Sequence, residues 1–246
     1  MIRLCAFTLA AAATAALSGC VDRGDEALLL LRNQLPGQGC MISASEDDPF
    51  VAAGTIDTAS AQAGVGYMMT PLVANTTSTD RATDLQRTII VQGADVDLSF
   101  PSGTLFDATE LQQLRDDALT RFRVRFSGSV KPNGGTASFG FELVPSPLLT
   151  RIDAKLTGGN DRALVLGQVV IFGEMGGGRI ESQEFIYPVT VCRGCLVNDV
   201  GACAAIPGGF DAREGSPCNP YQDGVVDCCQ SAGGLVCPAV VSSPPQ

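Results

Sequence analysis

Seven of the chain's ten cysteines crowd into the stretch from residue 192 to residue 237: Cys192, Cys195, Cys203, Cys218, Cys228, Cys229 and Cys237. An odd number cannot pair completely within itself. If all seven are oxidised inside one chain, one of them must bond to a cysteine far upstream, and the others in the chain are Cys5, Cys20 and Cys40. Choosing among these three fixes a long-range contact before any strand is assigned. Vicinal Cys228 and Cys229 are expected to take different partners, because a bridge between neighbours strains the backbone.

The first twenty residues make the choice. Met1-Ile2-Arg3 is a short positive lead, and Leu4 to Leu17 is an apolar, alanine-rich run of 14 residues. A helix needs about 20 apolar residues to span a bilayer, so this run fits a secretory signal segment instead. It ends in Leu17-Ser18-Gly19-Cys20, which resembles the bacterial lipobox: an aliphatic residue, two small ones and a cysteine. The resemblance implies that residues 1–19 are removed and that Cys20 is acylated on its thiol and its amine. Val21, where aspartate would resemble an inner-membrane retention signal, points the expected address to the outer membrane. Cys5 then leaves with the signal and Cys20 carries lipid. Eight cysteines remain, an even number that reads as four disulfides in an oxidising compartment, with Cys40 bonded to the C-terminal cluster.

Two rival readings exist for the cluster. Cys192-Arg193-Gly194-Cys195 has zinc-knuckle spacing, which two of Cys228, Cys229 and Cys237 could complete as a four-thiolate site. The same spacing serves redox pairs. The oxidising compartment favours disulfides over both, and no βαβ pattern surrounds Cys192. No metal site and no cofactor is expected.

Between anchor and cluster the chain reads as β. Residues 20–27 form a short tether, and residues 28–192 a sandwich domain. "LLLLRNQLPG" is a strand closed by Pro36-Gly37, and "GTIDTAS" and "GYMMTPLVANTT" follow. "RTIIVQGADVDLSF" alternates only in part: Ile89 and Val91 share a face with Gly93 and Asp95, yet Val96, Leu98 and Phe100 resume an apolar face on the other parity. "TRFRVRFSGSV" alternates cleanly, with Phe122, Val124 and Phe126 opposite Arg121, Arg123 and Arg125. "KPNGG" predicts a hairpin returning through "TASFGFELV". "EMGGG" predicts a second, between "ALVLGQVVIFG" and "RIESQEFIYPVTVC". One helix is expected at 107–119, where Asp107 and Glu110 have capping-box spacing and Leu111, Leu114, Ala118 and Leu119 form a stripe. The predicted fold is mainly β, an antiparallel, immunoglobulin-like β-sandwich. It carries a disulfide-rich, loop-rich C-terminal extension at 193–238, too small to order itself by apolar burial, and a tail at 239–246.

Composition narrows the function. The net charge is −10 with Lys131 and Lys155 the only lysines, which argues against nucleic acid as a partner. There is no histidine, so the commonest general base and the Ser–His and Cys–His pairs are missing, and no catalytic residue is expected. Glu46, Asp47, Asp48, Asp199, Asp223 and Asp227 are the acidic candidates. A weak calcium site around Asp223 and Asp227 is an alternative reading, although calcium wants six to eight oxygens. A carboxylate-dependent, glycan-acting enzyme is a further one; the absence of Trp counts against a sugar platform.

The segments "LLLLRNQLPGQGCMI", "GTIDTAS" and "GYMMTPLVANT", with "VVIFGEMGGGRIESQEFIYPVTVCRGCL", are similar to those of uncharacterised lipoproteins of myxobacteria and related deltaproteobacteria. This resemblance implies an exported, lipid-anchored, β-rich protein and carries no activity with it. The expected role is a binding or structural module of the cell envelope. It is held to the membrane by its lipid, with a protein partner in the envelope and no enzymatic activity.

Overall fold

The computed structural model describes residues 27–78, 83–101, 105–158 and 161–239. The expected signal segment, residues 1–19, and the expected lipidation site Cys20 lie outside the described residues, as do residues 240–246. In chain order the strands of the first half are β1 (Leu28–Gln34), β2 (Phe50–Val51), β3 (Gly54–Asp57), β4 (Tyr67–Met69), β5 (Pro71–Asn75), β6 (Ile89–Ser99) and β7 (Arg121–Val130). The second half adds β8 (Gly135–Ser138), β9 (Phe141–Val144), β10 (Arg162–Met175), β11 (Gly178–Glu181), β12 (Phe185–Cys192), β13 (Val197–Ala202), β14 (Val226–Ser231) and β15 (Gly234–Val236). Helices are short: α1 (Ala59–Gln62), α2 (Asp84–Arg87), α3 (Ala108–Asp116) and α4 (Ser146–Asp153).

The chain is mainly β, as the alternation predicts. One sheet has the order β2-β1-β5-β8, and a larger one has β3-β12-β10-β6-β7, with β11 folded back on β10. Their inner faces share one apolar core: Leu28 and Val73 from the first meet Val91, Val96, Val165, Val169, Ile171 and Val189 from the second. Strands β4 and β9 form a two-stranded antiparallel sheet of their own. Most ladders are antiparallel, but β12 runs parallel to β3 and β13 parallel to β14. Neither pair is joined by a turn, so nothing forces the antiparallel sense.

The broken alternation in β6 has a local cause. Register shifts between Val91 and Gly93 on the β7 side, and opposite Phe172/Gly173 on the β10 side. This is a β-bulge, and one extra residue flips the parity of everything after it. Ile89 and Val91 are therefore buried before it and Ala94, Val96 and Leu98 after it, leaving Asp95 and Asp97 on the outer face. Gly93 sits at φ 155, where a Cβ would run into the Val124 carbonyl.

The turn at Lys131–Gly135 is a correction. It does not close a hairpin: β7 pairs with β6, whereas β8 pairs with β5 in the other sheet. The turn's own backbone explains the crossing. Asn133 N donates to Thr77 O at 2.7 Å and Gly134 N to Asn75 O at 3.0 Å, while the buried Asn75 side chain donates to Val130 O at 3.0 Å. Those bonds hand the chain from one sheet to the other. The second predicted hairpin is formed, with Gly176 and Gly177 at φ 59 and 83 between β10 and β11, as a two-residue turn of the primed kind requires. Helix α3 begins at the expected capping box: Glu110 N donates to Asp107 Oδ1 at 2.8 Å and Asp107 N to Glu110 Oε2 at 3.0 Å. It stops earlier than the stripe suggests, because Ala118 takes φ 54. Helix α4, unanticipated from the pattern, buries Leu148, Leu149 and Ile152 against the core.

The eight cysteines from Cys40 onward pair as Cys40–Cys218, Cys192–Cys195, Cys203–Cys229 and Cys228–Cys237. Cys40 reaches the C-terminal cluster, across a sequence separation of 178. Cys228 and Cys229 bond to different partners.

Candidate functional site

Three places in the molecule gather polar chemistry. The first is where the C-terminal segment meets β3. Residues 219–223 run beside that strand: Asp57 N donates to Tyr221 O and Asp223 N to Thr55 O, both at 2.9 Å. Side chains then lock the segment in place. Asn219 Nδ2 donates to Ser60 Oγ at 2.9 Å and Gly66 O at 3.0 Å. The Gln222 amide satisfies both backbone groups of Met68, each at 2.8 Å. Asp223, in the left-handed region at φ 53, turns its carboxylate into the sandwich. There Oδ1 accepts from Thr55 N at 2.7 Å, and Oδ2 accepts from the Tyr67 hydroxyl at 2.9 Å and from Gln222 Nε2 at 3.1 Å.

Tyr67 continues the network inward. Its oxygen lies 2.9 Å from the Tyr187 hydroxyl, which accepts from Asn33 Nδ2 at 2.9 Å; Asn33 Oδ1 accepts from Thr70 N at 2.6 Å. Strands β1, β4 and β12 and the C-terminal segment are thus tied through four side chains. Gly54 makes room for it, since a Cβ there would collide with the Tyr67 ring. Burial pushes the Tyr187 hydroxyl up to about 12, and burial together with the nearby Asp223 charge pushes Tyr67 well above the usual tyrosine value. Desolvation also raises Asp223. Perturbed groups in a cleft would suggest catalysis. Tyr67 is 0% and Tyr187 1% exposed, however, so their hydroxyls face each other and Asp223 inside the fold rather than a cleft. The network is a buried latch.

The second place is the Cys192–Cys195 bridge at the end of β12. Asp57 lies opposite Cys192 in the parallel ladder. Its carboxylate accepts from Ala59 N and Leu196 N, each at 3.0 Å, and its oxygen lies within 4.8 Å of both sulfurs. This is the one cluster of three potential metal-binding side chains among the described residues. With the disulfide formed the two sulfurs offer no thiolate, so the trio does not hold a metal in this state.

The third is the outer face of the large sheet. Asp95 accepts two bonds from Arg123, both at 2.6 Å, and Asp97 pairs with Arg121 at 3.2 Å. The hydrogen bonds from Arg123 hold the Asp95 carboxyl below its usual range. The same guanidinium lies 4.5 Å over the Phe172 ring. Next to this charged half is an apolar half, where Leu164 is 40% and Ile186 55% exposed beside Pro188.

The acidic candidates are not brought together. Glu46 and Asp47 are exposed, and Asp199 is occupied by Gly201 N and the Gln230 side chain, at 2.9 and 2.8 Å. Asp223 faces the sandwich, whereas Asp227 faces Arg213, whose guanidinium holds the Asp227 carboxyl far below its usual range. Asp227 also accepts from Arg213 N at 2.9 Å and Asn198 Nδ2 at 2.7 Å. Tyr67, Tyr187, Asn33 and Asp57 were not singled out by the sequence; the one hint was that Tyr is rare, at three residues in the chain.

No family model, no curated protein and no solved structure matches the chain.

Proposed function

We propose that the chain is a lipid-anchored cell-envelope module, held to the outer membrane through Cys20, that works by binding a protein partner or as a structural element. The observation that carries this reading is the complete pairing of the eight remaining cysteines into four disulfides, which fits an oxidising compartment, beside a Leu-Ser-Gly-Cys sequence at residues 17–20. A binding role is supported over catalysis by where the polar groups lie. The two perturbed tyrosines are buried in the latch, and the open surface of the large sheet offers exposed Leu164 and Ile186 beside paired charges, a mixture that suits a protein contact.

Intact mass and fractionation test it. The mature protein should begin at Cys20 with a diacyl or triacyl addition and gain eight protons on reduction, two for each of the four bridges. It should sediment with outer membranes, and Cys20→Ala should release it into the soluble fraction. An unmodified N-terminus at another residue would overturn the anchor.

A further inference from the structure

We propose that Cys192–Cys195 is a thiol–disulfide exchange site, opened by a dithiol donor and closed again while the fold stays intact. It is distinct from the three bridges that staple the C-terminal segment. Four observations carry this. First, the bond spans a separation of three residues, so it restrains the unfolded chain least of the four. Second, both cysteines are positioned without it. Cys192 pairs with Arg162 of β10 and Asp57 of β3, and its carbonyl accepts from Thr58 N at 2.8 Å. The following Leu196 is fixed through its N to Asp57 and through its O to Val226 N at 2.8 Å. Arg193 in the loop pairs with Asp153 at 2.9 Å. Third, the two sulfurs are unequal. Cys192 is fully buried, while Cys195 is half-buried next to exposed Gly194, which gives an incoming thiolate one sulfur to attack. Fourth, the surroundings are ready for the reduced form: Ile56 O lies 3.5 Å from Cys192 Sγ, an acceptor for an S–H that the disulfide lacks, and the Asp57 carboxylate adjoins both sulfurs.

The step balances as a two-electron exchange. A partner thiolate attacks Cys195 Sγ; the new S–S bond forms as the Cys192–Cys195 bond breaks, and its electron pair goes to Cys192 Sγ, which takes a proton and donates it in a hydrogen bond to Ile56 O. The partner's second thiolate then attacks the partner sulfur of the mixed disulfide and expels Cys195, which is protonated in turn. The partner leaves as a disulfide, and this chain holds two thiols and two more electrons. The carboxylate beside the pair disfavours the thiolate that Cys192 becomes on leaving, so opening needs a strong dithiol donor and the reduced pair returns its electrons readily to an oxidant.

The test uses the mature, fully oxidised wild-type protein, titrated with dithiothreitol, quenched with iodoacetamide, and mapped by peptide mass. The expected result is a species alkylated at Cys192 and Cys195, with Cys40–Cys218, Cys203–Cys229 and Cys228–Cys237 intact and a melting temperature lowered by no more than about 8 °C. Added oxidised glutathione should return it to the starting mass. Labelling of Cys192 and Cys195 only in molecules that have unfolded or lost any of the other three bridges would overturn the proposal. Asp57→Asn should move the pH profile of alkylation of the reduced pair to lower pH by about one unit. A carboxylate with a purely structural role would change the melting temperature and leave that profile in place. If Asp57→Asn does not fold, the wild-type titration decides alone.

Discussion

The sandwich and the C-terminal segment hold themselves together by different means. The continuous apolar core runs from Leu28 to Val191 and takes no residue beyond that point. Past Cys192, the buried apolar residues are Leu196, Val226, Cys228, Cys229 and Ala239, two of them already in disulfides. The segment substitutes covalent bridges, the Arg213–Asp227 pair and the latch at Asp223 for a core it is too small to build. The lesson is that one chain can spend apolar burial where it has enough residues and crosslinks where it does not, and that the join between the two must then be polar and specific.

The comparison can be broken at the join. In the chain-entropy view, a bridge across a separation of 178 residues contributes about 5 kcal/mol and one across a separation of three about 2 kcal/mol. Cys40→Ser/Cys218→Ser should therefore be the most damaging change, seen as a large drop in the denaturant midpoint and new proteolysis within the C-terminal segment. Ile171→Ala, in the fully buried centre of β10, should lower stability by about 3 kcal/mol and leave the C-terminal bridges closed on mass mapping. Tyr67→Phe removes the hydroxyl that links Asp223 to Tyr187; urea unfolding should report a loss of about 2 kcal/mol, since two buried partners lose a bond.

The two aspartates of the segment sharpen the comparison, because pH should move them in opposite senses. Asp223 has a raised folded pKa, so what it contributes is fully present below the ordinary aspartate value of about 3.9 and is lost as pH rises through the folded value. Asp227 has a lowered one, so its contribution is present above that value and is lost as pH falls towards the folded value. Melting temperatures across pH 3 to 8, a range about as wide as the aspartate and histidine region, should show less decline at neutral pH in Asp223→Asn. Arg213→Ala should instead reduce acid sensitivity, the bonds from the residue-213 backbone and Asn198 keeping part of it. Wild-type-like profiles in both variants would break the assignment. The smallest effect belongs to the sandwich surface: Arg123→Ala, where both partners are about two-fifths exposed, should cost under about 1 kcal/mol by double-mutant cycle with Asp95→Ala.

Much of this was legible in the residues. The parity of the cysteines, with Cys5 and Cys20 set aside by the lipobox reading, pointed to Cys40 as the one to reach the C-terminal cluster, and the Arg121–Arg125 alternation identified an outward face. The Asp107 capping box marked the start of α3. What local patterns could not show was where strands would be handed between sheets. Lys131–Gly135 has the composition of a hairpin turn, and only its bonds to Asn75 and Thr77, more than fifty residues away, make it a crossing. The latch was hidden for the same reason. Asn33, Tyr67, Tyr187 and Asp223 are ordinary in their own segments, and their meaning lies in a meeting set by tertiary pairing. The β6 bulge was visible as a broken alternation, but its cause, the close approach at Gly93, was not.

The placement of residues 219–223 beside β3 bears on the order in which the molecule is completed. Synthesis delivers β3 early, yet its ladder partner β12 and the residues that flank its other edge arrive more than 130 positions later. Until β12 is made, Thr55, Ile56 and Asp57 have neither neighbour, and until residues 221–223 follow, one edge of the large sheet stays open. The front of the chain cannot therefore settle into its final form alone; a fragment that stops short of residue 219 keeps a vacant seat at the rim of its principal sheet.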